Sequence, residues 1–200
     1  RLYISIWVLS PQYRLNHGVI LQRIRRAMSN EQKQPAEQNE PKSPRRVIRG
    51  RDEIRDQFAV LAEEARREVA LFSPQLESYF FNNGRFARAL ASFAARHRHN
   101  RARILVEDTS QALRDNDRLV ALLRRLSDFL DMRGVGEEHR GVRDMFIVVD
   151  HGGYLHRQDM SKPECLTNAH DPQEAVQLLR RFNEMWNRSE PIANLRTAGL

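Results

Sequence analysis

The chain has 200 residues, 40% of them hydrophobic and 30% charged, an ordinary composition for one globular domain with a tail. It contains no run of about 18 apolar residues, so the sequence predicts no membrane-spanning helix and a cytoplasmic location. The single cysteine, Cys165, excludes an intramolecular disulfide framework and a cysteine-rich zinc site.

The net charge of +7 is concentrated in the first quarter of the chain. Residues 1–50 hold 10 Lys and Arg against 3 Asp and Glu, whereas residues 51–200 hold 23 of each. A basic chain favours nucleic acid or an anionic membrane as partner, but a neutral body argues against it. The basic cluster at residues 96–103, RHRHNRAR, keeps nucleic-acid binding open as an alternative.

The first 46 residues differ in composition from the rest. Residues 28–46 are polar and contain three prolines, so they bury too little apolar surface to offset the entropy of ordering. Met28 resembles a natural start, which would make residues 1–27 an upstream extension. We therefore predict a disordered or non-native N-terminal extension over 1–46 and one folded domain over 47–200.

Apolar spacing from residue 47 onward predicts alternating strands and helices. The predicted strands are 47–48, 69–72, 103–106, 129–132, 145–149 and 154–157, with a tight turn at 152–153. Asp52, Asp117 and Asp171 are predicted to cap three helices, and Gly84 is predicted to open another. The predicted apolar faces include His97 in the helix that starts at Gly84 and Val176 in the last. This order predicts an α/β fold with a largely parallel mixed sheet and helices on both faces.

The stretch RDMFIVVD at 143–150, followed by HGGYLHRQ at 151–158, carries the most information on function. It resembles the signature of the phospholipase D superfamily, HxKxxxxD followed by a glycine–serine pair at the end of the next strand. The element order over 47–190 also fits, including the aromatic pair Phe182 and Trp186 in the closing helix. The resemblance implies one phospholipase D-like unit and phosphodiester chemistry, with the histidine as nucleophile, the lysine on the phosphate and the aspartate in support.

The reactive positions of that signature are replaced. Arg143 stands at the histidine position, Met145 at the lysine position and Arg157-Gln158 at the glycine–serine pair, while Asp150 is retained. Arginine stays protonated and cannot act as this nucleophile, and methionine cannot hold a phosphate by charge. The sequence therefore predicts a non-catalytic binding or scaffold domain, a pseudoenzyme.

A looser resemblance points to an uncharacterised bacterial subgroup of the same superfamily. It is carried by LFSPQLE at 71–77 and FNEMW at 182–186. That subgroup accompanies acetyltransferase domains in some proteins, so an acetyltransferase context is expected. Single-motif members of the superfamily pair two domains across the signature strands, which implies a homodimer.

Several candidate ligand-binding residues fall near predicted strand ends. Arginines there could clamp an anion such as a phosphate-bearing ligand, and a displaced histidine could act as base or nucleophile in a phosphodiesterase-type enzyme. The alternative is structural: Asp150 in an ion pair, His139 in the exposed loop 136–141, and Asp108 as a cap. No cofactor or metal is predicted. The candidates are Asp108, Arg133, His139, Arg143, Asp150, His156 and Arg157.

Overall fold

The structure is a computed structural model that describes residues 44–195, with the side chain of Asn194 excepted. The predictions made for residues 1–43, namely disorder and a start at Met28, lie outside the described residues. The predicted folded domain, residues 47–200, lies within the described residues except for its last five residues.

The described chain forms one eight-stranded sheet with strand order β1-β7-β6-β5-β2-β3-β4-β8. The strands are β1 Arg46–Ile48, β2 Glu68–Phe72, β3 Arg101–Val106, β4 Leu130–Gly134, β5 Met145–Val149, β6 Gly153–Arg157, β7 Cys165–Asn168 and β8 Glu190–Pro191. Every residue of β5 is buried, as a strand covered on both faces requires.

The predicted α/β class is confirmed, but the prediction of a largely parallel sheet is wrong. Only β2–β3 and β3–β4 pair in parallel. The other five pairings are antiparallel, including β2 with β5 and the run β5–β6–β7. The reason is that the chain re-enters the sheet at β5 beside β2, in the opposite direction, and then continues through hairpins.

Helices cover both faces of the sheet, as predicted. They are α1 Arg51–Glu64, α2 Ser78–Phe81, α3 Gly84–Arg96, α4 Thr109–Asp115, α5 Asp117–Arg125 and α6 Pro172–Asn187, with 3₁₀ turns at Glu137–His139 and Ala193–Leu195. The larger core lies beneath α1, α3 and α5, and a second core lies beneath α6. Within residues 44–195, none of the helices is long and apolar enough to cross a membrane.

Four details of the predicted helices are wrong. Asn116 occupies the cap position of α5, and Asp117 is its first helical residue. Helix α1 starts one residue before Asp52, and Gly50 occupies the cap position. His97 is exposed at the end of α3 instead of lying on its apolar face. Val176 is 50% exposed, because the buried stripe of α6 follows i, i+3, i+4 spacing from Ala175 and leaves Val176 about 100° away.

Candidate functional site

A cleft opens where strands β2 and β3 end and β5 begins. Its main lobe has a volume of about 500 Å³ and adjoins a second lobe of about 430 Å³. Ligand sites in α/β sheets form outside the carboxyl ends of parallel strands, and this cleft occupies that position. We call both lobes together the edge cleft. Its main lobe is lined by Pro74, Gln75, Glu107, Asp108, Gly141, Val142, Arg143, Met160 and Ser161.

Backbone hydrogen bonds fix the walls of the edge cleft. The N–H groups of Glu107 and Asp108 both donate to the carbonyl of Pro74, at 2.8 and 2.9 Å. The Glu107 carboxylate in turn accepts from the N–H of Gly141 at 2.9 Å. Gly141 has a φ of +78°, a conformation that glycine adopts without strain. The turns that follow β2 and β3 are thereby tied to the segment that leads into β5.

Arg143 is the exposed cation of the main lobe. Its carbonyl accepts the N–H of Met160 at 2.8 Å, which fixes its backbone against the opposite loop. Its guanidinium makes no hydrogen bond or ion pair with any described residue. Its charge contributes to lowering the pKa of Asp159, although the hydroxyl and N–H of Ser161 contribute more. Arg143 is therefore available to an anion that enters the cleft.

Arg157 lies in the second lobe and already has partners. Its Nε donates to the carbonyl of Lys162 and its Nη2 to that of Met160, both at 2.8 Å. Its Nη1 lies 3.7 Å from Glu77, and the side chain is only 14% exposed. The geometry thus makes Arg157 a support for the loop over 158–163, while Arg143 faces open space.

Asp108 lines the main lobe and also caps a helix. Its Oδ1 accepts the N–H of Gln111 at 2.8 Å, which satisfies one of the free donors at the start of α4. The structure therefore brings Asp108 and Arg143 together in the edge cleft.

The position of the family's lysine does not face the cleft. Met145 is completely buried in the larger core. The side chains that line either lobe, within the described part of the chain, include no histidine, lysine or cysteine. They therefore provide none of the histidine, lysine or cysteine groups that serve as nucleophile or base in phosphodiester chemistry.

Asp150, the retained position of the signature, lies at the opposite edge of the sheet, because β5 separates it from Arg143. Its carboxylate accepts three backbone N–H groups, from Arg66 at 2.6 Å, Arg67 at 2.7 Å and Glu68 at 3.0 Å. It has a φ of +50° in the turn between β5 and β6. Here Asp150 joins the end of the α1–β2 connection to the hairpin.

His156 is buried under α6 and lines neither lobe of the edge cleft. Its Nε2 lies 2.9 Å from Oδ2 of Asp144, and Arg181 bonds both oxygens of the same carboxylate, at 2.5 and 3.0 Å. Burial alone would raise the pKa of Asp144, but the bonds from His156 and Arg181 outweigh it and lower the pKa below its ordinary value of 3.8. We call Asp144, His156 and Arg181 the buried triad.

Sequence reasoning missed two members of the buried triad, Asp144 and Arg181. The only available signal was the hairpin register, in which Phe146 pairs with His156. That register places residue 144 diagonally across from His156, within reach of a carboxylate.

The remaining candidates lie elsewhere. Arg133 pairs with Asp131 at 3.0 Å and stacks over Trp186 at 4.4 Å from the ring centre. His139 is half-buried at the end of a 3₁₀ turn.

Burial raises the pKa of the Cys165 thiol to about 12, so this thiol is unreactive. No group of three metal-ligating side chains is found among residues 44–195.

Comparison with known proteins places the fold. A family model described as Domain of unknown function (DUF7931) matches residues 50–198. None of the curated proteins matches the chain. Among solved structures, Nuc from Salmonella typhimurium, a phospholipase D family member, is similar with a TM-score of 0.55 at 13% identity over 74% of this chain and 99% of Nuc. NucT from Helicobacter pylori is similar with a TM-score of 0.56 at 12% identity, over 74% of this chain and 99% of NucT.

A third similar structure is TrmBL2, an archaeal chromatin protein described as showing a novel mode of DNA binding. It has a TM-score of 0.57 at 15% identity, over 90% of this chain. The match spans 66% of TrmBL2, about two thirds of its length. At these sequence identities the three structures show only the fold. The similarity to Nuc and NucT confirms that this fold is phospholipase D-like.

Proposed function

The chain belongs to the family described as Domain of unknown function (DUF7931), and we propose that this domain is a non-catalytic binding module. Its ligand carries a phosphate group and occupies the edge cleft. One observation carries the proposal: the cleft is present, yet the nucleophile position holds Arg143 and the lysine position holds the buried Met145. A cleft without histidine, lysine or cysteine side chains but with an available guanidinium suits binding rather than turnover.

The charges around the edge cleft narrow the class of ligand. Arg143 offers charge-assisted hydrogen bonds to a phosphate, while Glu107 and Asp108 line the same lobe and repel a bare anion. A ligand that also presents hydroxyl or amino groups would donate hydrogen bonds to those carboxylates. A phosphate ester of a polyol or an amino alcohol therefore matches the cleft better than inorganic phosphate.

We expect the purified protein not to hydrolyse a generic phosphodiester such as bis(p-nitrophenyl) phosphate above the buffer rate. The reason is that a histidine nucleophile is missing from the cleft, and the buried His156 is held by Asp144. Release of p-nitrophenol measures this directly. Turnover that vanishes in His156→Ala would contradict the proposal and support the alternative, an enzyme that uses a displaced histidine.

We expect glycerol 3-phosphate to shift the backbone amide NMR signals of residues 141–143 and 160–161 in the wild-type protein. Arg143→Gln should weaken this binding by about tenfold or more, because a hydrogen bond to a charged group contributes about 1.5–3 kcal/mol. The matched control is Arg140→Gln, since Arg140 is exposed and does not line the cleft. Equal weakening in both variants would show that general charge, not the cleft, attracts the probe.

The homodimer and the acetyltransferase context stay predictions, as do the degenerate subgroup and the domain boundary at residue 47. One observation bears on the dimer. Arg157 is engaged within its own chain, so only Arg143 of the two arginines would meet its copy across the signature strands. That lowers the like-charge repulsion expected at a symmetric interface.

A further inference from the structure

An arginine-lined groove runs between helices α3 and α5, on the outer surface of the larger core. It has a volume of about 470 Å³ and shares no lining residue with the edge cleft. Its polar lining consists of the exposed residues Arg88, Arg118 and Arg125. The rest of the lining is one glycine, three alanines and one leucine, and none of the lining residues is acidic.

Two of these arginines converge on one point. A Cβ placed on Gly84 would lie 3.1 Å from Nη1 of Arg88 and 3.4 Å from Nη1 of Arg118. Both guanidiniums therefore project over the first residue of α3, where the absence of a side chain leaves them room. This is also the positive end of a 13-residue helix without an acidic residue in its first turn. Cations gathered at that end repel one another and the helix dipole unless an anion lies between them.

The carboxylates near the groove have other hydrogen-bond partners. Hydrogen bonds from Arg85 and Asn82 are the main favourable cause of the lowered pKa of Glu63 and of Asp117, and the charges of Arg88 and Arg118 contribute less. Glu63 forms two hydrogen bonds of 2.8 Å with Arg85, and Asp117 accepts the side chain of Asn82 at 2.7 Å. The guanidiniums of Arg88, Arg118 and Arg125 form no hydrogen bond or ion pair with any residue in 44–195.

The basic cluster that sequence reasoning singled out behaves differently. Arg96 donates to the carbonyls of Glu63 and Ala65, and Arg103 pairs with Glu68. The guanidiniums of Arg96 and Arg103 therefore support the fold, whereas those of the three groove arginines have no such partner among the described residues.

From this geometry we infer that the α3–α5 groove binds the phosphodiester backbone of a nucleic acid. Arg118 and Arg125 are seven residues apart on α5, a distance of about 10 Å along the helix at about 1.5 Å per residue. One strand of a duplex carries a phosphate about every 3.4 Å along its axis, so the groove would face about three phosphates. The binding is independent of sequence, because the groove offers charge and no hydrogen-bonding pattern for base edges.

An anionic membrane surface fits the groove less well. Stable insertion of a helix at a membrane surface needs apolar side chains that enter the lipid, and the exposed large hydrophobic residues within 44–195, Val47, Tyr79 and Val176, lie on other elements. The small residues of the groove allow a backbone to approach the arginines closely but provide no apolar anchor.

The test measures binding of the full chain to a 20-base-pair DNA of random sequence by fluorescence anisotropy, from 50 to 200 mM NaCl. We expect the triple variant Arg88→Gln, Arg118→Gln, Arg125→Gln to bind at least tenfold more weakly at 100 mM. We also expect the slope of log K against log salt to fall in magnitude by about 2 to 3, since each neutralised phosphate contributes about 0.9. The basic N-terminal segment is present in every variant, so its contribution to the affinity and to the salt slope is the same in all of them and cancels in the comparison.

The matched control removes the same charge elsewhere, with Arg66→Gln, Arg140→Gln and Arg180→Gln at exposed positions outside the groove. It should keep at least 80% of the wild-type slope, and both triple variants should keep the wild-type thermal midpoint. Equal slopes in the two triple variants would overturn the inference, as would a wild-type chain that does not bind DNA at 50 mM salt. It would also be overturned if the groove variant lost binding to phosphatidylserine vesicles while its DNA slope stayed unchanged.

Discussion

Replacing Asp150 by alanine is expected to lower the free energy of unfolding by about 3 kcal/mol. The substitution leaves three backbone N–H groups, those of residues 66–68, without their charged acceptor, and a hydrogen bond to a charged group contributes about 1.5–3 kcal/mol. Water replaces part of this loss because the site is exposed. Urea denaturation of the two proteins measures the difference.

Two further substitutions at this position separate its two roles. Asp150→Asn should cost less, about 1–2 kcal/mol, because asparagine tolerates the φ of +50° and keeps one acceptor oxygen. Asp150→Gly accepts the backbone conformation but removes the acceptor, so it isolates the hydrogen bonds. Asp128→Ala serves as the control at an exposed carboxylate and should change stability by less than about 0.5 kcal/mol. Alanine variants of equal stability at 150 and 128 would disprove the role assigned to Asp150.

This role gives the aspartate of the signature a purpose in the fold. Asp150 holds the α1–β2 connection against the β5–β6 hairpin, at the sheet edge opposite the cleft. Its place in the fold therefore does not depend on a histidine or a lysine at the other end of β5. A chain with Arg143 and Met145 at the reactive positions still uses Asp150 to stabilise its fold.

The local parts of the fold could be predicted from the sequence, because their causes are local. The start of α6 is the clearest case: Asp171 accepts the N–H of Glu174 and Pro172 is the first helical residue. The direction of β5 could not be predicted, because it depends on pairing with β2, more than 70 residues earlier along the chain. Strand β7 has only four residues, and its pattern is too short to distinguish it from a loop.

The candidate site was predictable to a similar degree. Asp108 lies at the carboxyl end of β3, where ligand sites form, and the order of elements predicts that position. Arg143 meets it only because β5 runs antiparallel to β2, which the sequence did not predict. His156 could not be placed by that rule, because it sits within β6 and its environment is set by α6 packing over it. Arg157 lies at the expected edge, but its engagement with the carbonyls of Met160 and Lys162 depends on loop geometry.

The buried triad is expected to be the other position at which a single substitution strongly destabilises the protein. Asp144→Ala leaves His156 buried beside a cavity and removes the carboxylate whose two oxygens accept the Arg181 guanidinium. Breaking a buried ion pair by removing one partner costs about 3–5 kcal/mol. We expect about 3 kcal/mol, at the lower end, because the side chain of Arg181 is 39% exposed and can turn toward water.

The same carboxylate predicts a pH dependence of stability. The bonds from His156 and Arg181 lower the folded pKa of Asp144 below 3.8, so the unfolded chain binds its proton first as the pH falls. The stabilisation is therefore complete well above pH 3.8 and is lost as the pH falls through the lower, folded pKa. Denaturation of wild type and Asp144→Asn from pH 7 to pH 2.5 should show a difference in stability that begins to shrink near about pH 5 and continues to shrink as the pH falls.

A half-exposed ion pair provides the control for this last prediction. Asp131 pairs with Arg133 at 3.0 Å and its side chain is 38% exposed, so Asp131→Asn should cost less than about 1 kcal/mol at pH 7. A stability difference for Asp144→Asn that is no larger than this, or that does not shrink on acidification, would show that the triad packs without electrostatic gain. The buried carboxylate would then act through its shape, and His156 would be held by the packing of α6 alone.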